Sequence, residues 1–225
     1  MSNDLERFLA AARGSVGNAA ASKVMHVDRL LQPLSNESWD LDALRGRLVE
    51  LSARGSTATL TAAMELVAEA QIKAEPVAWI APAAGTFYPP DVADSGIDLS
   101  ALVVVRVRDG VGAARVAERL IRSSAFGLVV IDLCSPNSEG GASADLSTAI
   151  QGRLVTLAQT HDCALICITE KSPDTASLGS LVSLRAEALR ITERDQATVT
   201  VKALKDKRRG PNWARSIKRR VPAGL

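Results

Sequence analysis

Short apolar runs alternate with helix-like segments through most of this 225-residue chain. Runs of branched apolar residues without strict alternation are typical of strands buried on both faces of a sheet. Strands separated by helices form mostly parallel sheets with helices over both faces. The predicted strands are 48–51, 77–81, 102–107, 128–133 and 164–169, and the predicted helices are 57–72, 111–123 and 145–160.

Two further predicted strands, 184–192 and 198–203, follow each other closely and read as an antiparallel pair at one edge. The expected fold class is therefore α/β, with a mostly parallel sheet flanked by helices and an antiparallel edge. An apolar content of 47% supports a sizeable core, which Ala, Leu, Val and Ile must fill because aromatic residues make up only 3%. We expect this core over residues 39–204.

The first 38 residues are predicted to form a separate N-terminal helix and arm. Leu5, Phe8, Leu9 and Ala12 share one face of a short helix over 4–13, which Gly14 ends. An isolated helix this short is only marginally stable in water, so its apolar face must pack against another surface. Packing on the chain's own core and docking onto a partner both remain open.

The charge of the chain is concentrated near its C-terminus. Residues 202–220 hold nine of the 27 Lys and Arg residues and one of the 25 acidic residues, although the net charge of the whole chain is only +2. An acidic body with a basic end favours a polyanionic partner, either nucleic acid or an acidic protein face. The alternative is a solvated tail, which we predict over 205–225.

The residues of this tail are the candidate partner-binding or DNA-binding site. Basic side chains can neutralise phosphates, and Trp can stack on a base or anchor a protein interface. The sequence does not separate these two uses. The candidates are Lys205, Lys207, Arg208, Arg209, Trp213, Arg215, Lys218, Arg219 and Arg220.

Residues 46–61 have the strand–loop–helix pattern of a phosphate-binding loop without its chemistry. Such a loop needs glycines, a lysine that reaches the β- and γ-phosphates, and a hydroxyl for Mg²⁺. Only one glycine, Gly55, follows the strand, and no Gly-Lys-Ser/Thr occurs anywhere in the chain. We therefore predict no bound cofactor and no enzymatic activity.

Other candidate sites are weak. Asp132 ends an apolar strand, as a carboxylate that holds Mg²⁺ does, but many parallel strands end in a polar residue. Cys163, Cys167 and His161 lack a fourth zinc ligand nearby in sequence, so buried structural roles are expected. The sequence offers no Ser/His/Asp arrangement, and we predict neither catalytic nor metal-binding residues.

The sequence predicts a cytoplasmic protein. No apolar run reaches the length of a membrane span, and the first 30 residues contain no uninterrupted apolar stretch of a signal peptide. Three cysteines fit a reducing compartment. We expect no membrane partner.

The order of these segments resembles RecA-type recombinases over about residues 20–211. Residues 46–51 resemble the strand that enters the phosphate-binding loop, and 126–133 resemble the strand with the Mg²⁺-binding Asp. Residues 165–170 resemble the strand before the second DNA-binding loop, and 184–191 and 199–207 the closing strands. The family's catalytic acid follows Trp79-Ile80, where this chain has Ala81, Pro82 and Ala83, and the loops at 134–143 and 171–180 are short.

As a short RecA relative without nucleotide chemistry, this chain resembles the ImuA-type accessory proteins of the bacterial translesion mutasome. That resemblance implies a non-catalytic role in SOS-induced translesion DNA synthesis, with RecA and mutasome polymerase subunits as partners. A cell-division inhibitor of the SulA type is an alternative, which the long basic end disfavours. A DNA-binding module that uses the basic tail, and a weak ATPase with unusual ligands, also remain open.

Overall fold

One mixed sheet of eight strands forms the centre of the computed structural model. The structure describes residues 39–54, 57–83, 87–134, 146–193 and 196–220, so the predicted N-terminal helix and arm lie outside it. The spatial order of the strands is β3-β2-β4-β5-β1-β6-β7-β8. Their bounds are β1 Leu48–Ser52, β2 Val77–Pro82, β3 Leu102–Val107, β4 Leu128–Asp132, β5 Ala164–Thr169, β6 Leu184–Glu193, β7 Gln196–Asp206 and β8 Ala214–Arg220.

The first six strands in this series run parallel, from β3 to β6. Strands β1, β4 and β5 are buried at every position, because helices or loops cover both faces of the sheet there. Strands β7 and β8 then add antiparallel to β6. The predicted fold class is confirmed.

The described residues contain five α-helices and a 3₁₀ turn, of which α1 precedes β1. Asp109 starts α4 by accepting a hydrogen bond from the Gly112 amide at 2.6 Å, and Ser147 starts α5 in the same way through Ile150. The short α3 and the 3₁₀ turn lie between the predicted strands 77–81 and 102–107, where the sequence predicts no helix. The bounds are α1 Leu41–Leu44, α2 Thr59–Ile72, α3 Pro89–Asp94, α4 Gly110–Arg122, α5 Thr148–Thr160 and 3₁₀ Leu99–Ala101.

The sheet separates two apolar clusters. On one face, α1 and α2 pack over Val49, Leu51 and the three tryptophans of the chain. On the other face, α4 and α5 pack over Leu48, Ile80 and the central strands. Alternate residues of a strand point to opposite faces, so each central strand supplies both clusters.

The predicted boundary between core and tail at residue 205 is wrong. Strand β7 continues to Asp206, and β8 occupies Ala214–Arg220 within the supposed tail. The register of β8 against β7 is continuous from Ala214 opposite Lys202 to Arg220 opposite Gln196. Strand β8 escaped prediction because Ile217 is its one large apolar residue, and charged residues are typical of strands at a sheet edge.

No helix of the described residues combines the length and the apolar content that crossing a membrane requires.

Candidate functional site

The loop between β1 and α2 lies where a parallel sheet usually binds phosphate, at the carboxyl end of a strand and the start of a helix. Its last residues are tied to β6: the Ala58 amide donates to the Ala188 carbonyl at 3.0 Å, and Thr57 forms a β-bridge with Leu189. The N-cap residue Ala58 has no side chain that can cap α2, and the Thr57 hydroxyl accepts from the Thr59 amide at 3.2 Å instead. The loop's one cationic residue by sequence is Arg54, which is exposed. This connection therefore has the position of a phosphate loop but not its lysine.

Asp132 is buried at the end of β4. Its Oδ1 accepts from the Cys134 amide at 2.9 Å, and its Oδ2 has no hydrogen-bond partner among the described residues. Burial raises the pKa of Asp132, against the opposing effect of that amide. The neighbouring strand β2 ends in Ala81 and Pro82, so it brings no second carboxylate to Asp132. Within the described ranges, no group of three or more His, Cys, Asp or Glu side chains could hold a metal ion.

The most polar part of the core is a cluster around Glu50, in the middle of β1. Glu50 is fully buried, and its Oε1 accepts from the Thr169 hydroxyl at 3.0 Å. Lys171 Nζ lies 3.6 Å from Oε1, and Arg185 Nε lies 3.8 Å from Oε2. Sequence reasoning missed this cluster, although a Glu inside an otherwise apolar strand was a signal that a buried partner must exist.

The cluster holds the segment 170–183, which follows β5. The Leu178 amide donates to Glu50 Oε2 at 2.8 Å, and Arg185 donates to the carbonyls of Ser172 and Thr175. Gln151 of α5 donates to the Leu178 carbonyl at 3.0 Å. This segment occupies the position that, by the resemblance above, would carry a DNA-binding loop. Here its backbone is bonded to the core at several points.

The basic segment folds around its one acid, Asp206. Its Oδ1 accepts from Arg47 Nη2 at 2.6 Å and from the Arg208 amide at 2.9 Å, while Oδ2 accepts from Trp213 Nε1 at 3.0 Å. Burial raises the pKa of Asp206, but the hydrogen bonds from the Arg208 amide, Arg47 and Trp213 outweigh it, so the net shift is downward. Asp206 therefore closes the β7–β8 turn and joins it to β1.

The prediction that Trp213 offers a stacking surface is wrong. Trp213 is 1% exposed and belongs to the apolar cluster on the α2 face. Its indole nitrogen is taken by Asp206, and its backbone carbonyl accepts from the Ala203 amide. A ring in this position cannot reach a base or a partner surface.

The other predicted residues fall into three groups. Lys207, Arg208 and Arg209 are exposed together in the β7–β8 turn. Lys205 is half-buried at the end of β7, and Arg215 of β8 is half-buried and donates to the Trp39 carbonyl. Lys218, Arg219 and Arg220 lie in β8 opposite Thr198, Ala197 and Gln196.

The exposed side of α4 carries a second basic group, which sequence reasoning also missed. Arg115, Arg119 and Arg122 follow each other at i, i+4 and i+7, and all three are exposed. The opposite side of α4, with Ala113, Ala117 and Ile121, is buried against the sheet. The spacing of these arginines within an amphipathic helix was the available signal.

Comparisons with known proteins agree with this architecture. The model of the RecA N-terminal domain family matches residues 40–172. The protein RecA of Picosynechococcus is 32% identical over 161 residues, 69% of this chain and 46% of that protein. RecA of Rickettsia conorii is 31% identical over 192 residues, which are 75% of this chain and 55% of that protein. RecA of Chlorobaculum tepidum is 34% identical over 148 residues, which are 61% of this chain and 41% of that protein. The chain thus spans about half the length of these relatives.

Proposed function

This chain belongs to the RecA N-terminal domain family, and from that premise we propose that it is a non-hydrolysing accessory protein of SOS-induced translesion DNA synthesis. In this role it binds RecA or the polymerase subunits of the mutasome. The observation that carries the proposal is a RecA-like strand order without a Gly-Lys-Ser/Thr sequence anywhere in the chain. A protein of this fold that lacks the phosphate-gripping lysine acts through its surfaces.

The carboxyl edge of the sheet supports the loss of catalysis. Hydrolysis of a nucleotide needs a residue that orients or activates the attacking water. Strand β2 ends in Ala81 and Pro82, and neither side chain can accept a proton. The carboxylate of Asp132 accepts a backbone hydrogen bond from Cys134 and has no second carboxylate beside it on β2.

The segment 170–183 supports a changed use of the family's DNA-facing side. Glu50, Arg185 and Gln151 all bond its backbone, and Lys207 Nζ donates to the Ser180 carbonyl at 2.6 Å. A loop that closes around DNA must be free to reorder on binding. A loop fixed by this many contacts is suited to a constant surface.

Calorimetry with ATP and Mg²⁺ tests the non-catalytic part of the proposal. We expect no heat of binding and no phosphate release, with a RecA protein as the positive control. Saturable ATP binding that Asp132→Asn abolishes would overturn it.

A pull-down with RecA tests the partner. Removal of residues 205–225 is unsuitable, because it takes Asp206 and Trp213 out of the core. The double variant K207E/R208E reverses two exposed charges of the β7–β8 turn, and R115E/R119E is the control with the same change of charge on α4. Because K207E also removes the bond to the Ser180 carbonyl, circular dichroism checks that both variants keep the fold. We expect RecA to be retained by the wild type and the α4 variant and lost by the turn variant. Full retention by the turn variant would refute this contact site, and no retention by the wild type would refute RecA as the partner.

A further inference from the structure

The two helical faces of the sheet carry opposite charge. Helix α2 has two glutamates, Glu65 and Glu69, and no basic residue. Helices α4 and α5 together have four arginines and one glutamate, Glu118. Glu118 is paired with Arg153 of α5, with 2.8 Å between Oε1 and Nε. Glu118 is the one acid of α4 and is engaged by Arg153, so it forms no ion pair with Arg115, Arg119 or Arg122 of its own helix.

These three residues form what we call the arginine stripe: Arg115, Arg119 and Arg122. Across the described ranges, their side chains make no hydrogen bond and no ion pair. Like charges at i and i+4 destabilise a helix. Arg119 and Arg122 lie in the last turn, where the helix dipole offsets part of this repulsion, but Arg115 does not. The stripe thus keeps its guanidinium groups exposed and available.

The basic turn between β7 and β8 differs from the stripe in this respect. Lys207 Nζ is bonded to the Ser180 carbonyl, and Arg208 Nη1 lies 3.4 Å from the Arg45 carbonyl. Arg215 is bonded to the Trp39 carbonyl. Several of its cations thus already serve the fold.

The geometry points to the phosphate backbone of a nucleic acid as the ligand of the arginine stripe. Seven residues of helix separate Arg115 from Arg122, which is about 10 Å at ~1.5 Å per residue. A row of three cations over this length can contact the phosphates of adjacent nucleotides of one strand. The planar guanidinium group binds phosphate oxygens through two parallel hydrogen bonds.

The composition of the surface distinguishes nucleic acid from an acidic protein. Protein interfaces bury an apolar centre, whereas nucleic-acid interfaces are more polar and much more positive. Among the described residues of α4 and α5, the one large apolar side chain that is strongly exposed is Val111, at the end of α4 away from Arg122. Beside the stripe, α5 exposes Arg153, Thr156 and Gln159. This polar, positive surface favours phosphate.

The inference is separate from the proposed function, because the stripe is remote in sequence from the turn tested with RecA. Fluorescence anisotropy with a labelled single strand and a labelled duplex of mixed sequence measures it over a series of NaCl concentrations. We expect the wild type to bind both with an affinity that falls steeply with salt. The variant R115Q/R119Q/R122Q should bind at least about tenfold more weakly, with a salt slope shallower by about 2 to 3 units.

The matched control is K202Q/K207Q/R208Q, which removes the same charge from three exposed residues of β7 and its turn. We expect its affinity to fall less than about threefold, since distant exposed charges are screened. Circular dichroism should show the same fold for both variants, and the control, which loses the Lys207 bond to the Ser180 carbonyl, should melt slightly lower than the stripe variant. An equal loss in the control, or no binding by the wild type at low salt, would overturn the inference. It would also be overturned if the stripe variant kept DNA binding but lost RecA, which would make the stripe a protein contact.

Discussion

Arg47 and Asp206 lie 159 positions apart in the sequence and form a buried ion pair, with 2.6 Å between Nη2 and Oδ1. Both side chains are almost fully excluded from solvent. The pair joins the start of the first strand to the turn between the last two, so the basic C-terminal segment is anchored in the core. Removal of one partner from such a pair leaves an uncompensated buried charge.

The first prediction concerns this pair. Asp206→Asn should lower the free energy of unfolding by about 3–5 kcal/mol, because it leaves the Arg47 guanidinium buried without a carboxylate. Urea denaturation measures the change. The control is Asp174→Asn, which makes the same substitution at an exposed aspartate. A loss below about 1 kcal/mol, the range of surface ion pairs, would contradict the structure.

The same residue gives a pH dependence. The pKa of Asp206 is lowered in the folded protein, so its contribution is complete above the unfolded pKa of about 3.9 and is lost as pH falls through the folded value. The wild type should therefore lose stability more steeply in acid than Asp206→Asn does. Urea midpoints measured from neutral pH to below pH ~4 test this, and parallel curves for the two proteins would rule out the assignment.

The second prediction concerns Trp213. Trp213→Ala should destabilise the protein by about 3–5 kcal/mol, as expected for a large aromatic side chain removed from a core. Tyr88→Ala is the matched control, because Tyr88 is aromatic and 58% exposed. Thermal unfolding followed by circular dichroism compares them. If Trp213→Ala melts at the same temperature as the wild type, Trp213 is not a core residue and the prediction of an exposed binding residue stands.

The third prediction concerns Glu50 and the segment 170–183. Glu50→Gln removes the charge that faces Arg185 and Lys171, both largely buried, so both stability and the order of the segment should fall. The Leu178 amide, bonded to Glu50 Oε2, is the specific reporter. Hydrogen exchange at Leu178 should accelerate more than exchange at the amides of β4. Uniform acceleration at both would indicate global destabilisation alone.

The parallel sheet was predictable because branched apolar runs, such as that of β4, leave few alternatives to a sheet covered on both faces. The antiparallel pair of β6 and β7 was predictable because the two strands follow each other closely in the sequence. The end of the fold was not, because β8 is stabilised by pairing and by the buried Asp206, and neither leaves an apolar pattern in sequence. In the amino-acid sequence alone, a run of lysines and arginines in an edge strand cannot be distinguished from a solvated tail.

The candidate site likewise has features that the sequence predicts and features that only the folded structure shows. The absence of a phosphate-binding lysine is a property of sequence alone and needed no coordinates. Trp213 was misplaced because an indole between basic residues fits a base-stacking site as well as a core, and only the contact with Asp206 decides between them. The cluster around Glu50 joins β1 to residues more than 100 positions away, which no local pattern reveals.

The last prediction uses two glycines of the α5 region with opposite surroundings. A Cβ added at Gly179 would lie 2.6 Å from the Gln151 Cδ, while one added at Gly152 would lie 3.7 Å from a methyl group of Leu181, an ordinary contact. Gly179→Ala must displace Gln151, which donates to the carbonyls of Leu146 and Leu178, and overpacking of this kind costs about 1–3 kcal/mol. Gly152 lies inside α5, where alanine is favoured over glycine, so Gly152→Ala should stabilise the protein by roughly 0.5–1 kcal/mol. Urea denaturation of the two variants should therefore move the midpoint in opposite directions. If both variants shift the midpoint the same way, the packing of Gln151 against Gly179 is not what the structure indicates.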